Sequence, residues 1–220
     1  MKANLLIFFL ATFFSCTHKN EDCFESNCLF ASGNTSVYDG YFIQNNSDTT
    51  HYIITLKAGG EKFLLQKKLK YIAERTPNKN NPDHFLSEST TGFKETENRI
   101  WLHPPRVDKF KFITQLAPYP EVNLPLQIGD TIAGSIKMVA NWGEWSGHSS
   151  EYYLTVEADT AVTFMDNKED GYLLRGCGNI LNDTSCVSYI FSLTKGFIYA
   201  GYENNKGEAF EMKMRSVEIQ

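Results

Sequence analysis

Seven consecutive residues, Trp142-Gly143-Glu144-Trp145-Ser146-Gly147-His148, form the strongest functional candidate in the chain. Two indoles beside a carboxylate and an imidazole, spaced by glycines, would suit a platform for a sugar or another small ligand. Aromatic faces stack on apolar faces, and a carboxylate accepts hydrogen bonds from hydroxyls. The same residues also fit a plain structural role, with two Trp rings capping the open end of a β core and the glycines serving turns. Exposed and buried Trp are not distinguished by sequence. The second candidate is Trp101, His103, Pro104, Pro105 and Arg106. Functionally, the diproline makes a rigid rim that presents His103 and Arg106 to an anionic group. Structurally, the prolines end an edge strand and Arg106 pairs with a nearby acid.

Catalysis has less support. The chain has no G-x-S-x-G, H-E-x-x-H, Walker A or G-x-G-x-x-G pattern, and His18, His51, His84, His103 and His148 are scattered. An acid–base pair of Glu144 and His148 would serve an envelope hydrolase or glycan-active enzyme. No catalytic residue, metal ligand or cofactor is assigned.

These side chains need a scaffold, and the chain from Val37 onward reads as strands. Residues 38–43 and 51–56 are strands around the turn cluster 45–48. Gly59-Gly60 predicts a turn before a third strand over 62–66. Residues 67–74 fit a short helix or a further strand, and 75–83, with Pro77 and Pro82, is a loop. A strand over 99–103 ends at the diproline, because two prolines remove two backbone donors. In 109–116, Phe110 and Phe112 fall on one face and Lys109 and Lys111 on the other. Pro118-Tyr119-Pro120 and Pro125 make a rigid extended connection. Residues 130–140 form a long strand with Ile132, Gly134, Ile136 and Met138 on one face. A loop over 141–149 follows, then strands over 152–156 and 161–165.

The C-terminal third is the clearest part. Strands 172–180 and 186–193 flank Leu181-Asn182-Asp183, and a symmetric hairpin sets Cys177 opposite Cys186 on the polar face. Val187, Tyr189, Phe191 and Leu193 take the apolar face. Strands 197–202 and 209–218 complete the chain, the last alternating Phe210, Met212 and Met214 with charged residues. The fold class is all-β and mainly antiparallel: a curved sheet, open barrel or sandwich with at most one or two short helices.

Acidic residues outnumber basic ones, 26 to 21, so there is no electrostatic case for a nucleic-acid partner. The first residues carry an address instead. Lys2 precedes an apolar run over 5–14, about half the roughly 20 residues that span a bilayer, which describes a secretory signal. Phe13-Phe14-Ser15-Cys16 resembles a bacterial lipobox, and in this the chain is similar to Bacteroidota-type envelope lipoproteins. The resemblance implies cleavage before Cys16 and acyl chains, palmitate among them, on that cysteine. They would hold the protein at a cell-envelope membrane, the outer membrane by expectation, with no transmembrane helix. Either membrane face fits. The resemblance also accounts for the odd count of five cysteines, leaving Cys23, Cys28, Cys177 and Cys186. Of three connectivities, spacing favours Cys23 with Cys28 and Cys177 with Cys186. Neither pair has the C-x₂-C spacing of a zinc site. The expected organisation is a signal over 1–15, a lipidated tether over 16–35 and one β-rich domain over 36–220.

From Tyr152 onward, the order strand, strand, Gly171-Tyr172, Cys177, turn, Tyr189-Ile190-Phe191-Ser192, Gly196-Phe197-Ile198, Tyr202, Gly207 and a final alternating strand is similar to the C-terminal part of β-rich bacterial envelope proteins of unknown function. Their sheets wrap like an open barrel. The resemblance implies a fold and an envelope location, and no chemistry. The leading expectation is a lipid-anchored protein that binds a glycan or an envelope protein without transforming it. The alternatives are the enzyme described above and a structural accessory subunit of an envelope complex.

Overall fold

The structure is a computed structural model that describes residues 28–44, 48–63, 65–77 and 85–218. Cys16, Cys23, His18 and His84, and the turn at 45–47, lie outside the described residues. The strands are β1 (Thr35–Gln44), β2 (Asp48–Phe63), β3 (Gln66–Arg75), β4 (Phe85–Thr96), β5 (Arg99–Leu102), β6 (Glu121–Asn123), β7 (Thr131–Lys137), β8 (Ser149–Phe164), β9 (Asn167–Ile180), β10 (Asp183–Ser192), β11 (Gly196–Asn204) and β12 (Ala209–Glu218). One helix, α1 (Lys111–Leu116), and a 3-10 turn (Gly143–Trp145) interrupt them.

All twelve strands belong to one antiparallel sheet, in the order β6-β5-β4-β3-β2-β1-β12-β11-β10-β9-β8-β7. The first and last strands pair mid-sheet, Phe42 opposite Phe210. The sheet curls into a nearly closed barrel with one break, between the edges of β6 and β7, where side chains from both ends of the sheet line one cleft. Strand parity sets the wall: Tyr38, Gly40 and Phe42 on β1, Val187, Tyr189 and Phe191 on β10, and Phe210, Met212 and Met214 on β12 are buried, while the residues between them face outward or are half-buried.

Residues 103–120 leave the sheet after β5 and fill the barrel before the chain returns as β6. Pro104, Pro105 and every residue from Ile113 to Val122 are buried. Backbone carbonyls inside a barrel need donors that no ladder supplies. The wall provides hydroxyls instead. Tyr71 Oη donates to His103 O at 2.8 Å, Ser185 Oγ to Ile113 O at 2.7 Å, and Tyr189 Oη to Pro118 O at 2.7 Å. Within the plug, Thr114 Oγ1 donates to Pro105 O at 2.6 Å. Phe110 stacks on Phe210, ring centroids 4.0 Å apart, and meets Tyr52 edge-on at 5.3 Å. Burying one Phe contributes about 1.5–3 kcal/mol. At the plug's other end, Leu116 O lies so close to β9 that a Cβ on Gly178 would stand 1.9 Å from it, so only glycine fits there.

Several local expectations are corrected. Residues 109–116 do not form a strand. Phe110 is buried and Phe112 is 38% exposed, because α1 puts Phe110, Ile113, Thr114 and Ala117 on one helical face. The sheet runs through Gly59-Gly60 with a register shift, so β2 is one long strand. The two strands expected over 152–165 are likewise one, β8, with a shift between Val156 and Ala158. Residues 67–74 belong to β3. Leu193 lies past the end of β10 and is 56% exposed.

Cys177 and Cys186 stand opposite each other on β9 and β10 and form a disulfide on the outer face, in the register that hairpin symmetry predicts. Cys28 is buried and disulfide-bonded. From Cys28 the stretch read as tether is docked on the sheet. The Leu29 and Phe30 N–H groups donate to the buried Glu95 carboxylate at 2.7 and 2.9 Å.

Candidate functional site

The break between β6 and β7 opens into a cleft of about 520 Å³. One edge supplies Lys94 from β4 and Arg99 and Trp101 from β5. The other supplies Lys137 from β7 and Tyr152 from β8. The plug forms the floor with His103, Arg106, Gln115 and Tyr119, and Trp142 closes one end. The diproline turns the chain from the sheet edge into the barrel, which leaves His103 and Arg106 on either side of the bend.

Arg106 Nη2 lies 2.6 Å from His103 Nδ1 and donates to Tyr119 Oη at 2.7 Å. Its guanidinium carbon is 5.6 Å from the Tyr119 ring centre and 5.9 Å from that of Trp142. Gln115 Nε2 donates to the same Tyr119 hydroxyl at 2.6 Å. Trp101 meets His103 edge-on at 4.6 Å, and Tyr119 lies 5.2 Å from His103. Burial, reinforced by the Arg106 charge, pushes the His103 imidazole down to about 3. His103 is therefore neutral at pH 7. With Nδ1 accepting from Arg106, its proton is assigned to Nε2.

Charge in this cleft is lopsided. Arg99 is paired with Glu121, Nη2 to Oε1 at 2.5 Å. Burial raises the Glu121 carboxyl while Arg99 pulls it back. Among the described residues, Lys94, Lys137 and Arg106 have no acidic partner. Buried polar atoms without hydrogen bonds also gather here: Arg106 Nε, Gln115 Oε1, and Glu121 Oε2 beside Arg99. Unsatisfied groups are rare in folded interiors and tend to mark functional places.

A second cleft, about 350 Å³, lies on the other side of Trp142 and is lined by Phe112, Glu144, Trp145, Asp183 and Lys206 among others. Trp145 is only 7% exposed and packs with Leu116, Met138 and Ile180. Its Nε1 donates to Asp183 Oδ2 at 2.7 Å, and Asp183 Oδ1 lies 2.8 Å from Lys206 Nζ. The Lys206 ammonium holds the Asp183 carboxyl below the usual range and is itself raised in return. Gly143 and Gly147 take the left-handed backbone of the tight turn around Trp145.

The two sequence candidates are thus rearranged. Trp142 joins Trp101, His103 and Arg106 in the seam cleft and also lines the neighbouring cleft beside Glu144 and Trp145. Trp145 and Glu144 belong to the neighbouring one, and exposed His148 lines neither. Trp145 caps core, as its structural reading holds, and Arg106 bonds His103 and Tyr119 in place of an acid. Lys94, Gln115, Tyr119, Lys137 and Tyr152 carried no site signal in the sequence. Only Tyr119, between two prolines in a rigid segment, offered a hint.

No protein-family model matches the chain, and no curated protein matches it in sequence. In fold it is similar to a candidate lipoprotein from Parabacteroides distasonis ATCC 8503, with TM-score 0.50 and 8% identity over 86% of this chain and 96% of that one. A candidate exported protein with a YmcC-like fold from Bacteroides fragilis NCTC 9343 superposes at 0.48, with 9% identity over 86% and 96%. The hypothetical lipoprotein YmcC from Escherichia coli K12 superposes at 0.39, with 9% identity over 84% and 86%. The shared property is the wrapped antiparallel β fold, and it rests on the first of these.

Proposed function

We propose that this chain is a lipid-anchored cell-envelope protein that binds a small ligand in the seam cleft and does not transform it. The carrying observation is that both free edges and the plug deliver aromatic rings, Trp101, Tyr119, Trp142 and Tyr152, to the one break in the barrel. An open cleft of stacked rings with a few polar groups suits the apolar face and hydroxyls of a saccharide. A binding role is favoured over catalysis by the state of His103, whose imidazole is neutral and engaged by Arg106. Glu144 lines the neighbouring cleft and His148 lines neither of the two clefts. The address is supported by the lipobox-like Phe13-Phe14-Ser15-Cys16 and by the fold likeness to a protein described as a candidate lipoprotein.

Two measurements test the reading. Mass spectrometry of the mature protein should find an acylated Cys16 at its N-terminus; an unmodified Cys16 or another cleavage site overturns the anchor. A thermal-shift panel of saccharides should yield a stabilising ligand for the wild type that is lost when Trp101→Ala and Trp142→Ala are combined. Stabilisation that survives the double variant places the ligand elsewhere.

A further inference from the structure

We infer that the ligand of the seam cleft is a saccharide bearing an anionic group, carboxylate or phosphate, recognised by Arg106. The inference rests on the saccharide-binding reading above and adds the charge of the ligand. A guanidinium loses much hydration when half-buried, and proteins ordinarily offset that cost with a carboxylate. Arg106 has none among the described residues. Two neutral groups hold it instead. Both hydrogens of Nη2 are committed, one toward His103 Nδ1 and one toward Tyr119 Oη, which fixes the plane of the fork. Nε is unpartnered, and Nη1 makes no hydrogen bond among the described residues.

A guanidinium oriented in advance, with its charge unspent, is suited to an incoming oxyanion. The surroundings agree. Lys94 and Arg99 reach the cleft from one free edge and Lys137 from the other, against the single carboxylate of Glu121 that Arg99 already holds. The whole chain carries a formal charge of −5, so this concentration of cations runs against its average. Cationic clefts in low-dielectric walls focus potential and draw in anions. The aromatic frame sets the rest of the ligand. With the acid group on Arg106, a ring beside it falls near Trp142, whose indole is 5.9 Å from the guanidinium carbon.

The test titrates full-length protein in detergent with glucose, glucuronate and glucose 6-phosphate, following the indole N–H resonances of the three tryptophans. At least one of the two acids should bind about tenfold or more tightly than glucose, the difference expected of one charge-assisted contact. It should move the Trp101 and Trp142 signals and leave Trp145 still. Which acid prevails separates a carboxylate from a phosphate. Arg106→Gln should remove the preference, bringing the affinity for the acids down to that for glucose measured on the same variant. Equal affinities for all three sugars, or a preference that survives in Arg106→Gln, would overturn the anionic inference while leaving the saccharide reading intact. No response to any of the three overturns both. Should Arg106→Gln fail to fold, the combined Lys94→Ala and Lys137→Ala variant, altered only on the exposed rim, repeats the test. A preference weakened severalfold supports the inference, and an unchanged one at low salt counts against it.

Discussion

Trp142 stands between two clefts that treat charge differently. On its Trp145 side, Asp183 holds the indole N–H with one oxygen and Lys206 with the other, so the half-buried carboxylate there is answered by a cation within the protein. On its Arg106 side, a half-buried guanidinium leans on an imidazole and a phenol and meets no acid among the described residues. A charge that is answered internally stabilises the fold. One left unanswered spends stability and is retained for something outside the chain. The two clefts share a wall and have similar ring content, and this difference in compensation separates scaffold from site.

The largest expected effect separates the two tryptophans. Trp145→Ala empties a buried position and removes one hydrogen bond from Asp183, and should cost about 3–5 kcal/mol in denaturant unfolding. Trp142→Ala, at a half-exposed ring, should cost about 1 kcal/mol and act on ligand binding instead. Equal losses in stability would break the division between the clefts.

The next effect is carried by pH. His103 has a folded pKa of about 3 against an ordinary value of 6.5, so the unfolded chain takes up its proton first as pH falls. Its contribution is present in full above pH 6.5, declines below that and is gone near pH 3. Compared with His103→Gln, the wild type should lose up to about 1.4 kcal/mol for each pH unit below 6.5. A difference between the two unfolding curves that stays flat from pH 7 to 5 would contradict the buried, neutral imidazole.

Asp183 behaves differently. Its carboxyl is lowered by Lys206, so its contribution is present above the ordinary value of 3.8 and is lost as pH falls through the lower folded value. Asp183→Asn should cost about 1–2 kcal/mol at pH 7, with the penalty shrinking below pH 3.8. The seam cleft should therefore soften at mild acidity while the Asp183 cleft holds. Glu144→Ala and His148→Ala should be the mildest changes, within about 0.5 kcal/mol and without effect on ligand in the seam cleft. Loss of binding in either would reinstate the loop as the site.

Much of the wall was legible because strand parity is a local property. In residues 209–218, apolar and charged side chains alternate, and the observed strand has those bounds. The register that joins Cys177 to Cys186 follows from the length of one turn. The helix at 111–116 was legible as well, in the spacing of Phe110, Ile113, Thr114 and Ala117, but the alternation of two phenylalanines with two lysines pointed to a strand. Of the candidate site, Trp101, His103, Arg106 and Trp142 were named by residue type. Their grouping across two separate stretches was not, and of the residues adjacent to Trp142 in the chain, Glu144 and Trp145 share the neighbouring cleft with it while His148 does not.

By itself, the sequence determined the strands, the outward-facing disulfide and the lipobox-like start, since each depends on residues within about ten positions of one another. The seam was decided by tertiary structure. Lys94 and Trp101 come from one free edge and Lys137 and Tyr152 from the other, and they share a cleft because β1 pairs with β12 and brings the two edges around to the same side. That closure joins residues almost the whole chain apart. No local pattern encodes it, and without it Arg106 would be one more exposed cation on an acidic protein.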